Sequence, residues 1–158
     1  MKFKSLVLLF LLNFSFTLFA NSHLVVHYWS NKGSIFGHVA LEVQNEHNEV
    51  VYLSYAMRNN QAQDLSRLGP SQKVELPLLS DDAFEKYKIW WQGGPLWEHH
   101  AEYGKHYNLF RFNCAHAVSN ALKFLNYNTG WADDHFALTP RQVWMKAKSF
   151  QRFLVYRN

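Results

Sequence analysis

The chain of 158 residues holds one cysteine, Cys114, and nine histidines. A thiolate is a strong nucleophile near neutral pH, and it needs a base to hold it ionised and to carry its proton. Cys114 follows Asn113, a favoured N-cap residue, and the run 115–125 (AHAVSNALKFL) is good helix material. The thiol is therefore expected at the first helical position. Unpaired N–H groups and the positive end of the helix dipole favour an anion there. Val118, Ala121, Leu122 and Leu125 follow at helical spacing, which turns the sulfur toward the packed face. The other use of a lone cysteine is as a small buried hydrophobe.

His38 is the best placed base. It follows Gly37 and opens the alternating run 36–43 (FGHVALEV), in which Val39, Leu41 and Val43 take one face and His38, Ala40 and Glu42 the other. His116, two residues past Cys114 on a helix, is expected to turn away from it. His99, His100 and His106 fall in a stretch expected to be exposed, His27 inside a strand, and His23, His47 and His135 in loops.

These residues need elements to hold them. The run 24–29 (LVVHYW) reads as a strand, and 36–43 and 50–56 (VVYLSYA) read as an antiparallel hairpin about the polar turn 45–49. A turn centred near His47 sets His38 across from 54–56. Residues 57–71 are polar and read as a long surface loop, 73–78 as an edge strand ended by Pro77, and 81–92 as a helix with Phe84, Tyr87, Lys88 and Trp91 on one side. A short strand over 107–112 is expected to feed the Cys114 helix, with a loop over 126–138 after it. Thr139-Pro140-Arg141-Gln142 is a capping box with proline at the first helical position. Val143, Trp144, Ala147 and Phe150 then face inward, and 153–156 reads as a last short strand. The sum is an α+β chain with a small antiparallel sheet packed against helices.

Residues 1–20 have the layout of a secretory signal peptide, with Lys2 and Lys4 ahead of a nearly continuous apolar run that ends near Ala20. Asn13, Ser15 and Thr17 interrupt that run, which is short for a bilayer span. Cleavage leaves 21–158 as a single domain in a periplasmic or secreted compartment, with no stable membrane anchor. It also removes Lys2 and Lys4, so the formal charge falls from +4 to +2. That charge, without a basic stripe, argues against nucleic acid as partner. In an oxidising compartment a lone thiol adds no disulfide stability and stays open to oxidation, which points to a use for Cys114.

The series Gly37-His38-Val39-Ala40-Leu41-Glu42, then Tyr52-Leu53-Ser54-Tyr55, then Asn113-Cys114 opening an apolar helix resembles the circularly permuted branch of the papain-like, NlpC-type cysteine hydrolases. The unpermuted branch runs cysteine helix, histidine strand, third polar residue. This chain runs histidine, third strand, cysteine, as do the permuted groups that include lecithin–retinol-acyltransferase-like enzymes. The resemblance implies amide or ester chemistry through a thioacyl enzyme, with Cys114 as nucleophile and His38 as base. The family's third residue stands on the strand after the histidine. Here that position offers Ser54, or Tyr55 if the register slips by one, and Glu42 shares a strand face with His38. A peptide or cell-wall substrate such as a peptidoglycan stem peptide follows from the compartment and the family, and lipid or protein acyl transfer is the alternative.

Two other classes compete. A zinc site could draw on His99 and His100 with Cys114 or His38, but no pair has the spacing of a strong metal motif, and neither metal nor cofactor is expected. A non-catalytic exported binding module would keep Cys114 merely buried. The leader yields a direct test. Protein recovered outside the cytoplasm should start at Asn21 or within a few residues of it by intact mass, and retention of 1–19 would overturn the cleavage.

Overall fold

The computed structural model describes residues 22–30, 37–55, 61–80, 82–92, 113–127 and 138–155. The leader 1–20, the strand expected over 107–112, His99, His100, His106, His135 and most of the expected loop 126–138 lie outside the described residues. The described elements are β1 (His23–Trp29), β2 (His38–Gln44), β3 (Val50–Leu53), α1 (Gln61–Leu68), β4 (Gln72–Pro77), α2 (Ala83–Gln92), α3 (Cys114–Phe124) and α4 (Pro140–Val155). They form an α+β arrangement with a four-stranded antiparallel sheet in the order β3-β2-β1-β4.

Alternation along each strand decides which side carries the core. Leu24 and Val26 of β1, Val39, Leu41 and Val43 of β2, Val51 and Leu53 of β3, and Val74 and Leu76 of β4 share one face. Phe84, Tyr87 and Trp91 from α2, the apolar side of α3, and Val143 and Ala147 from α4 cover that face. Trp90 of α2 stacks on Phe124 of α3, and Tyr28 of β1 stacks on Trp144 of α4, each at 5.1 Å between ring centroids. The opposite face holds a smaller cluster of Trp29, Ala40 and Leu68, with α1 supplying the leucine.

The β2–β3 hairpin closes as its turn residues dictate. Asn45 Oδ1 accepts from the N–H groups of His47 and Glu49, each at 2.9 Å, and Asn48 takes φ 62°, a left-handed value that asparagine tolerates. The register Leu41↔Leu53, Val43↔Val51, Gln44↔Val50 centres the turn on His47, as expected.

Two expectations are corrected. Residues 57–71 are not a loop throughout: α1 occupies Gln61–Leu68, with only Asp64 and Leu68 buried. That single i, i+4 contact is too little apolar patterning to stand out in a polar run. Of the strand expected over 153–156, residues 153–155 are instead the end of α4, and 156 lies outside the described residues. Val143, Ala147, Phe150 and Leu154 keep helical period, and Phe153 and Val155 are 59% and 70% exposed, so no sheet receives them. Smaller shifts occur at β3, which stops at Leu53, and at α2, which starts at Ala83.

Among the described residues the core holds buried polar atoms without a hydrogen-bond partner, Tyr87 Oη and Trp144 Nε1 among them. Tyr87 is fully buried, and its hydroxyl has no partner among the described residues. Burying a hydroxyl without a hydrogen bond is unfavourable, so Tyr87→Phe should hold or raise stability by up to about 1 kcal/mol. Leu122→Ala, at a site with no exposed surface, should cost about 2–5 kcal/mol. Urea unfolding midpoints check both, and a large loss in Tyr87→Phe would show that the hydroxyl is used.

Candidate functional site

Cys114 is the first residue of α3, where the sequence predicts it. Asn113 makes the cap. With φ −119° and ψ −179° its backbone is extended, and its Oδ1 accepts from the N–H groups of Ala115 at 2.8 Å and His116 at 3.2 Å. Its Nδ2 donates to the carbonyl of Leu138 at 3.0 Å, just ahead of α4. The cap thus uses the N–H groups of the two residues after the cysteine and not that of Cys114. His116 turns back on the cap: its Nδ1 lies 3.0 Å from Asn113 Oδ1 and 3.5 Å from the Asn113 nitrogen. One Nδ1 position can serve only one of these, accepting from the Asn113 N–H to close the capping box or donating to Oδ1, according to the ring's tautomer.

His38 opens β2 directly after Gly37, whose φ of 77° is open to glycine and disfavoured for other residues. Both His38 and Cys114 are nearly buried, at 6% and 4% exposure. Cys114 is near enough to act on the imidazole, where it helps to raise the His38 value. On the imidazole, Nε2 lies 3.0 Å from Ser54 Oγ and 3.6 Å from Asp64 Oδ2. The hydroxyl is therefore the hydrogen-bond partner and the carboxylate the charge partner. Trp29 lies against the ring, 5.5 Å between centroids.

Asp64 is the member that sequence reasoning missed. It has no exposed surface, and Tyr52 donates its hydroxyl proton to Oδ2 at 2.7 Å. Burial alone would raise this carboxyl, but His38 beside it, then Ser54 and Tyr52, bring it below the ordinary carboxylate range. For His38, burial alone would favour the neutral ring. Asp64 first, and Cys114 next, more than reverse this and raise the imidazole from 6.5 to about 9. Burial, then the carboxylate, keeps the Tyr52 hydroxyl protonated as a donor. A signal for α1 was present in the sequence: Arg67 in the last turn, then Gly69 and Pro70, is a helix stop. Gly69 takes φ 72°, and its N–H bonds to the carbonyl of Leu65 at 2.9 Å.

The structure sets Ser54 against His38, with Cys114 acting on the same imidazole. It does not bring Glu42 to His38. Glu42 accepts instead from His27 Nε2 at 3.0 Å and from Gln61 at 2.5 Å, and the His27 bond holds its carboxyl below the ordinary range. Among the described residues no cluster of histidine, cysteine and carboxylate has the makings of a metal site. Compared with protein-family models, curated proteins and solved structures, the chain matches none.

The ion pair makes a signed prediction. The folded value of His38 is above its unfolded 6.5, so its charge stabilises the fold fully below about pH 6.5, and the effect is lost as pH rises through about 9. Titration of ring-labelled histidines by NMR should place the His38 midpoint near pH 9. Asp64→Asn should bring it down. A midpoint that does not move on this substitution would remove Asp64 from the site.

Proposed function

We propose that the chain is an exported cysteine hydrolase of the permuted papain-like, NlpC-type class, acting on an amide bond through a thioacyl enzyme. The observation that carries this reading is the side-chain series Cys114, His38, Ser54 and Asp64, a thiol at a helix N-terminus with an imidazole backed by a hydroxyl and a carboxylate. Such a series supplies each part of the reaction. Proton transfer to His38 leaves a thiolate, and the helix terminus favours that anion. The sulfur attacks the substrate carbonyl, and the Cys114 N–H, unused by the cap, is a donor for the oxyanion that develops. His38 then gives its proton to the leaving amine. In the second half it takes a proton from water, which attacks the thioester and frees Cys114. Asp64 and Ser54 orient the ring and stabilise its cationic form, as the third residue of a triad does.

The substrate follows from compartment and class. The leader motif supports export, and stem peptides of peptidoglycan are the amides that an exported bacterial hydrolase of this type meets. Acyl transfer to an alcohol or amine instead of water shares the same first half. The 4% exposure of Cys114 favours the competing reading, an exported binding module in which the thiol is only packed. Iodoacetamide separates the two, since a catalytic thiolate alkylates in the folded protein and a packed thiol does so only on unfolding.

Incubation with purified muropeptides, read by mass, should give amide cleavage. Cys114→Ser should abolish it almost completely, because a hydroxyl is much less acidic than a thiol. His38→Gln, which keeps a polar partner for Ser54, should lower turnover about 10²–10⁴-fold and slow alkylation. Folded parent protein that cleaves nothing in a peptide and ester panel, with a thiol inert to alkylation, would overturn the enzyme reading.

A further inference from the structure

The outward side of α4 is unlike the rest of the chain. The helix carries Arg141, Lys146, Lys148 and Arg152 and no acidic residue. These four cations equal the net charge of the whole chain, +4, so everything outside α4 sums to zero. Without residues 1–20, which hold Lys2 and Lys4, the remainder is net acidic. None of the four is in an ion pair among the described residues.

Their placement is patterned. Val143, Ala147, Phe150 and Leu154 form the stripe that packs on the core. Roughly opposite, Arg141, Met145, Lys148, Arg152 and Val155 follow at i, i+4, i+7, i+11 and i+14, one continuous stripe of three cations and two apolar groups, a basic stripe not expected from the sequence. Met145 and Val155 on that stripe are 51% and 70% exposed. Lys148 keeps its ammonium over the Trp144 ring, 4.4 Å from the centroid. Arg141 stands in the first turn, where the helix dipole disfavours a cation and no acidic residue offsets it. Local helix stability does not explain an arginine there, so its use lies outside the helix.

We propose that this stripe docks on the surface of an anionic phospholipid bilayer. The cations meet lipid phosphates, and Met145 and Val155 enter the interface between headgroups and chains. The apolar members decide the partner: a soluble polyanion would leave them in water, whereas a bilayer interface takes them up. The docking is reversible and peripheral, because the inner stripe is committed to the sheet. It does not rest on the cysteine chemistry.

Co-sedimentation of the full chain tests this, with vesicles of equal parts phosphatidylglycerol and phosphatidylcholine against vesicles of phosphatidylcholine alone. The parent should favour the anionic vesicles, and salt should weaken the preference. Each cation near such a surface contributes roughly five-fold, so Arg141→Gln with Arg152→Gln should lower the anionic partition about 25-fold and leave the phosphatidylcholine partition unchanged. Any contribution from residues 1–20 is common to both proteins. Both arginines are exposed, and thermal melts that match the parent confirm the fold. Met145→Ser with Val155→Ser should weaken vesicle binding and leave binding to soluble polyphosphate unchanged. The proposal is overturned by equal anionic partition of parent and Gln variant. It is also overturned by polyphosphate binding as tight as vesicle binding with the Ser variant indifferent to both.

Discussion

The His38 ring and the Asp64 carboxylate face one another in a space between the sheet and α1 that water barely reaches, at 6% and 0% exposure. An ion taken from water without compensation costs several kcal/mol, so the surroundings must do what solvent would have done. Tyr52 and Ser54 offer hydroxyls, and Trp29 lays a ring beside the imidazole. These groups come from β1, β2, β3, the exit of β3 and α1. The pair is therefore assembled only when the hairpin is in register and α1 is seated, which ties the local chemistry to the assembly of the sheet.

α1 is seated mainly by polar contacts. Its buried residues are Asp64 and Leu68, and one buried leucine is worth about 1.5–3 kcal/mol, too little to hold a short helix that is marginal by itself. The balance comes from directional bonds. Gln61 reaches Glu42, which His27 also holds, and His27 Nδ1 meets Ser71 Oγ at 2.9 Å beyond the helix. Trp29 donates its indole N–H to the carbonyl of Gly69 at 2.6 Å. Two histidine–carboxylate contacts therefore sit on the same face of the sheet. One faces the thiol, and the other holds the start of the helix that brings the first its carboxylate.

What could be read from the sequence was whatever local pattern determines. Alternation placed Val39, Leu41 and Val43 on the core side and His38 on the other. Asparagine before an apolar run placed Cys114 at a helix start, and Thr139 with Gln142 closed the capping box, with the Thr139 N–H 2.9 Å from Gln142 Oε1. Ser54 followed from a turn centred on His47. Asp64 did not, because a carboxylate in a polar run looks solvated until the face it packs on is known. Glu42 failed as a partner for the opposite reason. It shares a face with His38 but lies two pleats along the strand, and His27, diagonal to it on β1, is its partner instead. Residues 153–156 misled because their aromatic and β-branched composition suits a strand, while the period of the preceding helix carries on through Val155.

The side chain of Asn113 bears on a choice that helix stability leaves open. Asparagine and aspartate cap a helix about equally well, and aspartate would add favourable charge at the N-terminus. Here the amide does two jobs at once, accepting from the start of α3 through Oδ1 and donating to Leu138 through Nδ2. A carboxylate could perform only the first. It would face the Leu138 carbonyl oxygen with another acceptor and put a negative charge beside the sulfur, opposing the anion that the helix terminus favours. Deamidation at this one position would therefore leave the helix start intact while it unfastened α3 from the segment before α4 and made the thiolate harder to form.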